Sequence, residues 1–218
     1  MLVSGPECAL GRRLRSIAVS EVWYVSYGSN MSAARLGCYL VGGRPEGGRR
    51  DNPGARLASL PERSAAVELP GTVYFAGESP QWGGGTAFYD HDAPGPAAAR
   101  AYLVTAGQLA DIFRQEMYRA PFDGDPVEQV ARTLADGARH AAGDGVYETL
   151  VAVGVLDGLP MLTFTSPHGA ADVPHTPPSP AYLATMATGL AESHGWSGEQ
   201  AYAYLDALRD SDVASSNR

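Results

Sequence analysis

Glycine and proline interrupt this chain so often that its regular elements have to be short. Its 26 glycines and 16 prolines gather in stretches such as "VGGRPEGGRRDNPGARLASLPERSAA" (residues 41–66), "ESPQWGGG" and "HDAPGPAA", which read as mostly loop. Between them lie strand-like runs at Val22–Tyr27, Gly71–Phe75, Thr86–Tyr89, Arg100–Thr105, Tyr147–Leu156 and Pro160–Thr165. Helical patterns occupy Ser32–Leu40, Gly107–Tyr118 and Pro126–Ala141, and the C-terminal part is helical throughout. Ser179-Pro180 supplies an N-cap followed by proline at the first helical position. Ser197 and Gln200 form a capping box, and Gly195 stands where a glycine stop belongs. Short strands with helices between and after them predict an α+β fold, a small curled sheet with helices outside. Residues 1–20 read as a flexible lead-in, 21–210 as a single domain and 211–218 as a disordered tail.

Composition removes several kinds of chemistry. The chain has no lysine, which excludes a Schiff-base lysine and a lysine-bearing phosphate loop. Its two cysteines, Cys8 and Cys38, argue against a disulfide scaffold, and neither has a CxxC partner for zinc. The first residues lack the order of a secretory signal, because their arginines follow the mildly apolar part. No apolar run approaches the ~18–20 residues that span a bilayer. The expectation is a soluble, cytoplasmic protein that engages neither membrane nor nucleic acid. Nine arginines against five acids in residues 1–63 contrast with a net charge of −8 overall. Without interleaved aromatics, Arg44, Arg49, Arg50, Arg56 and Arg63 read as a solvated loop.

One carboxylate sits where charge is not expected. In "TAGQLADIFRQEMYRAP", Thr105 and Gln108 make a capping-box pair that fixes where the helix starts and therefore its phase. At about 100° per residue, Leu109, Ile112, Phe113 and Met117 then form an apolar stripe, and Glu116 falls inside it. Asp111, Arg114 and Gln115 take the other side. A carboxyl held among apolar groups has its acidity weakened from the ordinary ~4.3, which suits a general acid–base. A buried glutamate paired with an arginine, or a helix that twists enough to leave the residue at the boundary of the core, would produce the same pattern. Periodicity alone leaves these readings open.

A second oddity lies at residues 24–36, "YVSYGSNMSAARL", where a buried strand stops at a Gly-Ser-Asn turn before a helix. With the strand before it, "YGSNMSAARL" resembles the signature of the gamma-glutamylcyclotransferase-like family, which includes gamma-glutamylamine cyclotransferases and AIG2-like proteins. "QLADIFRQE" is similar to the family's helix that ends in a catalytic glutamate, here Glu116. "GVYETLVAVGVLDG" resembles a strand whose first tyrosine, here Tyr147, lines the pocket, and "PPSPAYLATMATGLAESHGWS" resembles the C-terminal helix with Tyr182 in its first turn. The chain departs from the pattern in an insertion over residues 119–144 and in Phe164, which stands where another tyrosine is expected.

The resemblance implies a closed or nearly closed small mixed β-barrel with flanking helices and a cavity at one end. Tyr27, Gly28, Ser29 and Asn30 would cradle the substrate at the N-terminus of the Ser32 helix, with Tyr147 and Tyr182 beside them. Glu116 would serve as general acid/base. The reaction is closure of a gamma-glutamyl amine or peptide to 5-oxoproline with release of an amine. The partner is thus a small-molecule gamma-glutamyl substrate, and neither metal nor cofactor is needed. An amide hydrolase, a deacylase or a non-catalytic binding module on the same fold are the alternatives. The sequence does not specify an oligomeric state.

Other signals carry less. Asp90, His91 and Asp92 in "YDHDA" form an isolated acid–histidine group suited to a solvated turn. A zinc deacetylase needs several Asp and His ligands, which nothing here assembles. Ser29 lacks the G-x-S-x-G setting of a serine hydrolase nucleophile. Trp82 beside three glycines reads as the anchor of a loop.

Overall fold

The structure, a computed structural model, describes residues 20–215, with side chains through residue 209. Its elements in chain order are β1 (Glu21–Ser26), α1 (Ala33–Val41), β2 (Ser64–Leu69), β3 (Thr72–Ala76), β4 (Thr86–Asp90), β5 (Ala97–Thr105), α2 (Ala106–Glu116), α3 (Pro126–Thr133), β6 (Arg139–Ala141), β7 (Thr149–Leu156), β8 (Leu159–Thr165), α4 (Pro180–His194) and α5 (Gly198–Ser215). The expected lead-in over residues 1–20 lies outside the described residues except for Ser20. Of the tail expected over 211–218, residues 211–215 belong to α5 and the rest lies outside.

A strand with apolar residues on both parities needs cover on both faces and neighbours on both edges. β1 has all of these. β5 runs antiparallel to it from Glu21↔Thr105 to Ser26↔Arg100, and β8 runs parallel through Trp23↔Met161 and Tyr24↔Leu162. Val22 and Tyr24 pack on one face with Leu36, Leu40, Leu109, Ile112 and Phe113 of α1 and α2. Trp23 and Val25 pack on the other with Val73 and Phe75 of β3, Met186 and Leu190 of α4, and Leu205 of α5. Each fully buried large apolar side chain contributes roughly 1.5–3 kcal/mol. The central strand is therefore firmly fixed, and so is the turn that leaves its end.

The fold is α+β, as expected, but the sheet does not close into a barrel. Six strands run in the order β2-β5-β1-β8-β7-β6, and β3-β4 form a separate hairpin. Where β4 meets β8, the Tyr89 N–H donates to Thr165 Oγ1 at 2.9 Å and the same hydroxyl donates to Tyr89 O at 2.8 Å. One side chain thus takes both backbone groups that a continuous ladder would have used.

Two boundaries also differ from expectation. Residues 64–66 belong to an edge strand, β2, rather than to loop. The helix expected to reach Ala141 stops at Thr133, because Gly137 turns at φ 72 and residues 139–141 pair with β7 instead. The expected caps are in place. Thr105 and Gln108 close a full capping box, Ser179 accepts the Tyr182 N–H, and Gly195 is left-handed at the end of α4. No helix among the described residues is long and apolar enough to cross a membrane.

Candidate active site

The chain leaves β1 through Tyr27 and Gly28 into a single 3-10 turn, Ser29–Met31, before α1 begins. Three contacts fix that turn from outside. Tyr102 Oη and Arg100 Nη1 on β5 both donate to Met31 O, at 2.6 and 3.0 Å. On α4, Gly189 packs so tightly that a Cβ there would lie 2.5 Å from Met31 Cβ, so only glycine allows the contact. Gly28 has a similar constraint, since its own Cβ would come within 3.1 Å of Tyr182 Oη. The start of α1 does not open toward the cavity as expected. Glu192 of α4 caps it, accepting the Ala33 N–H at 2.8 Å while pairing with Arg100 at 2.6 Å.

Glu116 ends α2 and meets this turn directly. Asn30 Nδ2 donates to Glu116 Oε1 at 2.8 Å and to Tyr24 Oη at 3.0 Å. The Tyr39 hydroxyl also faces the carboxylate. No ion pair is formed by Glu116 among the described residues. Burial pushes the Glu116 carboxyl above its ordinary range, and the charge of Arg35 with the hydrogen bonds from Tyr39 and Asn30 recovers part of that shift.

The other side of α2 is not solvated as its sequence suggested, since Asp111 and Gln115 are buried. The arginine-rich loop folds over this face. Arg56 donates to Asp111 from Nε at 2.8 Å and from its backbone N–H at 2.9 Å, and Gln115 Nε2 donates to Tyr39 O at 2.8 Å. Arg56 also reaches Asp123 and Glu128, while Arg44 pairs with Asp51 and Arg63 with Asp157. Much of the basic loop is therefore a set of tethers.

One cavity of about 90 Å³ is lined by all seven residues singled out from sequence: Glu116, Tyr27, Gly28, Ser29, Asn30, Tyr147 and Tyr182. Tyr27 Oη donates to Phe164 O at 2.9 Å. Tyr147, which precedes β7 rather than opening it, donates to Ala87 O at 2.5 Å. Tyr182 Oη accepts the Ala87 N–H at 3.3 Å. Burial raises all three phenols above their ordinary value, so they act as neutral hydrogen-bonding walls. Phe164 lines the same space and stacks on Tyr24 with centroids 5.2 Å apart, contributing no hydroxyl.

Sequence reasoning missed part of the wall. Arg35, Tyr39, Gln81 and Tyr118 line it, and so does Trp82, which stacks on Tyr182 at 5.8 Å instead of merely anchoring a loop. The argument applied to Glu116 would have found Arg35, since it shares a helix face with Leu36, Tyr39 and Leu40. Tyr118 adopts φ 55, a left-handed conformation that a bulky residue seldom takes. Its position just beyond the end of α2 carries no sequence signal.

Asp90, His91 and Asp92 do come together, with potential ligand atoms within 4.8 Å of one another. Their oxygens have other work. Asp90 accepts the N–H groups of Asp92, Ala93 and Ala170, and Asp92 pairs with Arg139 at 2.6 Å.

No family model matches the chain. Among curated proteins it is similar to Histone deacetylase 5 of Arabidopsis thaliana, with 31% identity over 204 residues and 87% of this chain covered. The chain spans 31% of that protein's length. Three solved structures are also similar. The human protein loc79017, described as uncharacterized, has a TM-score of 0.46 and 16% identity, over 80% of each chain. A gamma-glutamyl cyclotransferase has a TM-score of 0.48 and 16% identity, over 80% of each chain. YkqA of Bacillus subtilis has a TM-score of 0.47 and 17% identity, over 87% of this chain and 54% of its own. Likeness at this level carries nothing about chemistry.

Proposed function

We propose that this chain is a cofactor-independent cyclotransferase that converts a gamma-glutamyl amine or peptide into 5-oxoproline and a free amine. The observation that carries the reading is the 2.8 Å contact between Asn30 of the Tyr-Gly-Ser-Asn turn and a Glu116 that has no cation in ion-pair contact among the described residues.

Attack and departure each need one proton movement. The substrate's α-ammonium must lose a proton before its nitrogen can attack the γ-carbonyl, and the departing nitrogen must gain one. A single carboxyl whose acidity has been weakened toward neutral pH serves both in turn. Glu116 takes the proton, the N–C bond closes the five-membered ring, and a tetrahedral oxyanion forms. Donors of the Gly28–Asn30 turn hold that charge. Glu116 then returns the proton to the leaving nitrogen as the original amide bond breaks, and the ring nitrogen, which still carries two protons after the attack, gives one up to water to leave the neutral lactam. Because attack is intramolecular, the cavity's main task is to hold the chain folded back on itself. The aromatic walls of Tyr27, Tyr147, Phe164, Trp82 and Tyr182 suit that task by excluding water and most other conformers.

Product analysis tests the reading. Incubation of the purified chain with a gamma-glutamyl anilide is expected to release aniline and 5-oxoproline in equal amounts. Free glutamate in place of 5-oxoproline would show hydrolysis. The deacetylase name of the Arabidopsis relative makes amide hydrolysis the second reading, with Glu116 activating water instead of an amine.

A further inference from the structure

Arg35 is 4% exposed and lines the cavity that contains Glu116. A guanidinium stays charged when buried, so the fold holds a permanent cation there. Its partners are neutral. Nη1 donates to Asn52 Oδ1 at 2.7 Å, Nη2 donates to the Tyr39 hydroxyl, and the group lies 4.0 Å from the centre of the Tyr39 ring. Among the described residues it forms no ion pair, and its Nε has no hydrogen-bond partner. Two of its five N–H donors are used.

A matching acceptor stands on the acid's side. Asn30 Oδ1 is buried without a partner, while Nδ2 of the same amide holds Glu116 at 2.8 Å. One part of the wall thus offers a cation with no ion-pair partner among the described residues. The other offers an acceptor beside a carboxylate. These are the complements of the two charged groups of an α-amino acid.

We propose that Arg35 anchors the α-carboxylate of the substrate, so that the α-nitrogen is delivered to Asn30 Oδ1 and Glu116. The proposal rests on the cyclotransferase reading and adds the residue that selects a free α-carboxylate. It also has a consequence for the base. The charge of Arg35 holds the acidity of Glu116 partly toward normal. A bound carboxylate offsets that charge and strengthens the base once substrate is in place.

The test compares a gamma-glutamyl anilide with the same compound carrying an α-carboxamide, using wild type and Arg35→Gln. Wild type is expected to prefer the carboxylate in kcat/KM by on the order of 100-fold, as for loss of one member of a buried charge pair. Arg35→Gln is expected to lose a similar factor on the carboxylate and no more than a few-fold on the carboxamide, so the preference collapses. Equal losses on both compounds would mark a structural role and overturn the proposal. Turnover of both by wild type at similar rates would overturn it alone, whereas turnover of neither would overturn the cyclotransferase reading with it. Calorimetry of wild type with 5-oxoproline and 5-oxoprolinamide applies even if the variant fails to fold. Preferential binding of the acid supports the anchor, and equal binding contradicts it.

Discussion

Two carboxylates five residues apart on α2 have opposite situations. Asp111 lies under the arginine-rich loop and accepts both the guanidinium and the backbone N–H of Arg56. Glu116 lies at the helix end, held by the neutral groups of Asn30 and Tyr39, with no cation in ion-pair contact among the described residues. Asp111 is buried and Glu116 is half-buried, yet exposure is not what decides their roles. Partners do. A carboxylate with its cation in place is a strut, because the pair loses more by breaking than either group gains from water. A carboxylate held only by neutral donors can gain and lose a proton without dismantling its surroundings, as an acid–base group must.

Substitutions at the two positions are expected to divide in the same way. Glu116→Gln keeps the shape and removes the base. It should lower turnover at least ~1000-fold while leaving 5-oxoproline binding within a few-fold, an effect in the range of general acid–base catalysis. Parallel steady-state assays and calorimetry check it, and tenfold or smaller loss of turnover would break the contrast. Asn30→Ala removes the donor that aims Glu116 and should cost about 10–100-fold in kcat/KM with an unchanged fold, read by kinetics alongside circular dichroism. Asp111→Asn is expected to do the reverse. Denaturant unfolding should show a loss of about 2 kcal/mol while turnover stays within threefold, because Arg56 keeps Glu128 and Asp123.

The smallest effect concerns stability against pH. Burial favours the neutral form of Glu116, so that contribution is fully present below the ordinary glutamate range. It is lost as pH rises through the raised folded value. Glu116→Gln should therefore melt above wild type at pH 8, and the gap should close on titration to pH 4. A gap that widens toward acid would mean that the carboxylate is stabilised in the fold.

How much of this could be read from sequence follows from local and long-range causes. Caps set by neighbours three residues apart, such as Thr105 with Gln108, were legible because the chemistry is local. The phase they fix was enough to mark Glu116. Asp111 was misjudged because its cover comes from a loop some fifty residues earlier, and no helical period reports an arginine arriving from there. Barrel closure was misjudged for a similar reason, since the Thr165 hydroxyl that interrupts the ladder acts across 76 residues. The turn at residues 27–30 was legible as a motif, but its support by Arg100, Tyr102 and Gly189 depends on packing between distant elements. Arg35 was missed although a helical wheel holds the signal, because a single arginine on an otherwise ordinary helix draws less notice than a carboxylate in an apolar stripe.

The most direct test of the central claim is the pH dependence of kcat/KM for 5-oxoproline release by wild type. An acid limb centred clearly above ~4.3, the ordinary glutamate value, is expected as Glu116 becomes protonated and can no longer accept a proton. A rate that stays flat down to that value would contradict the claim that this acid is the working base.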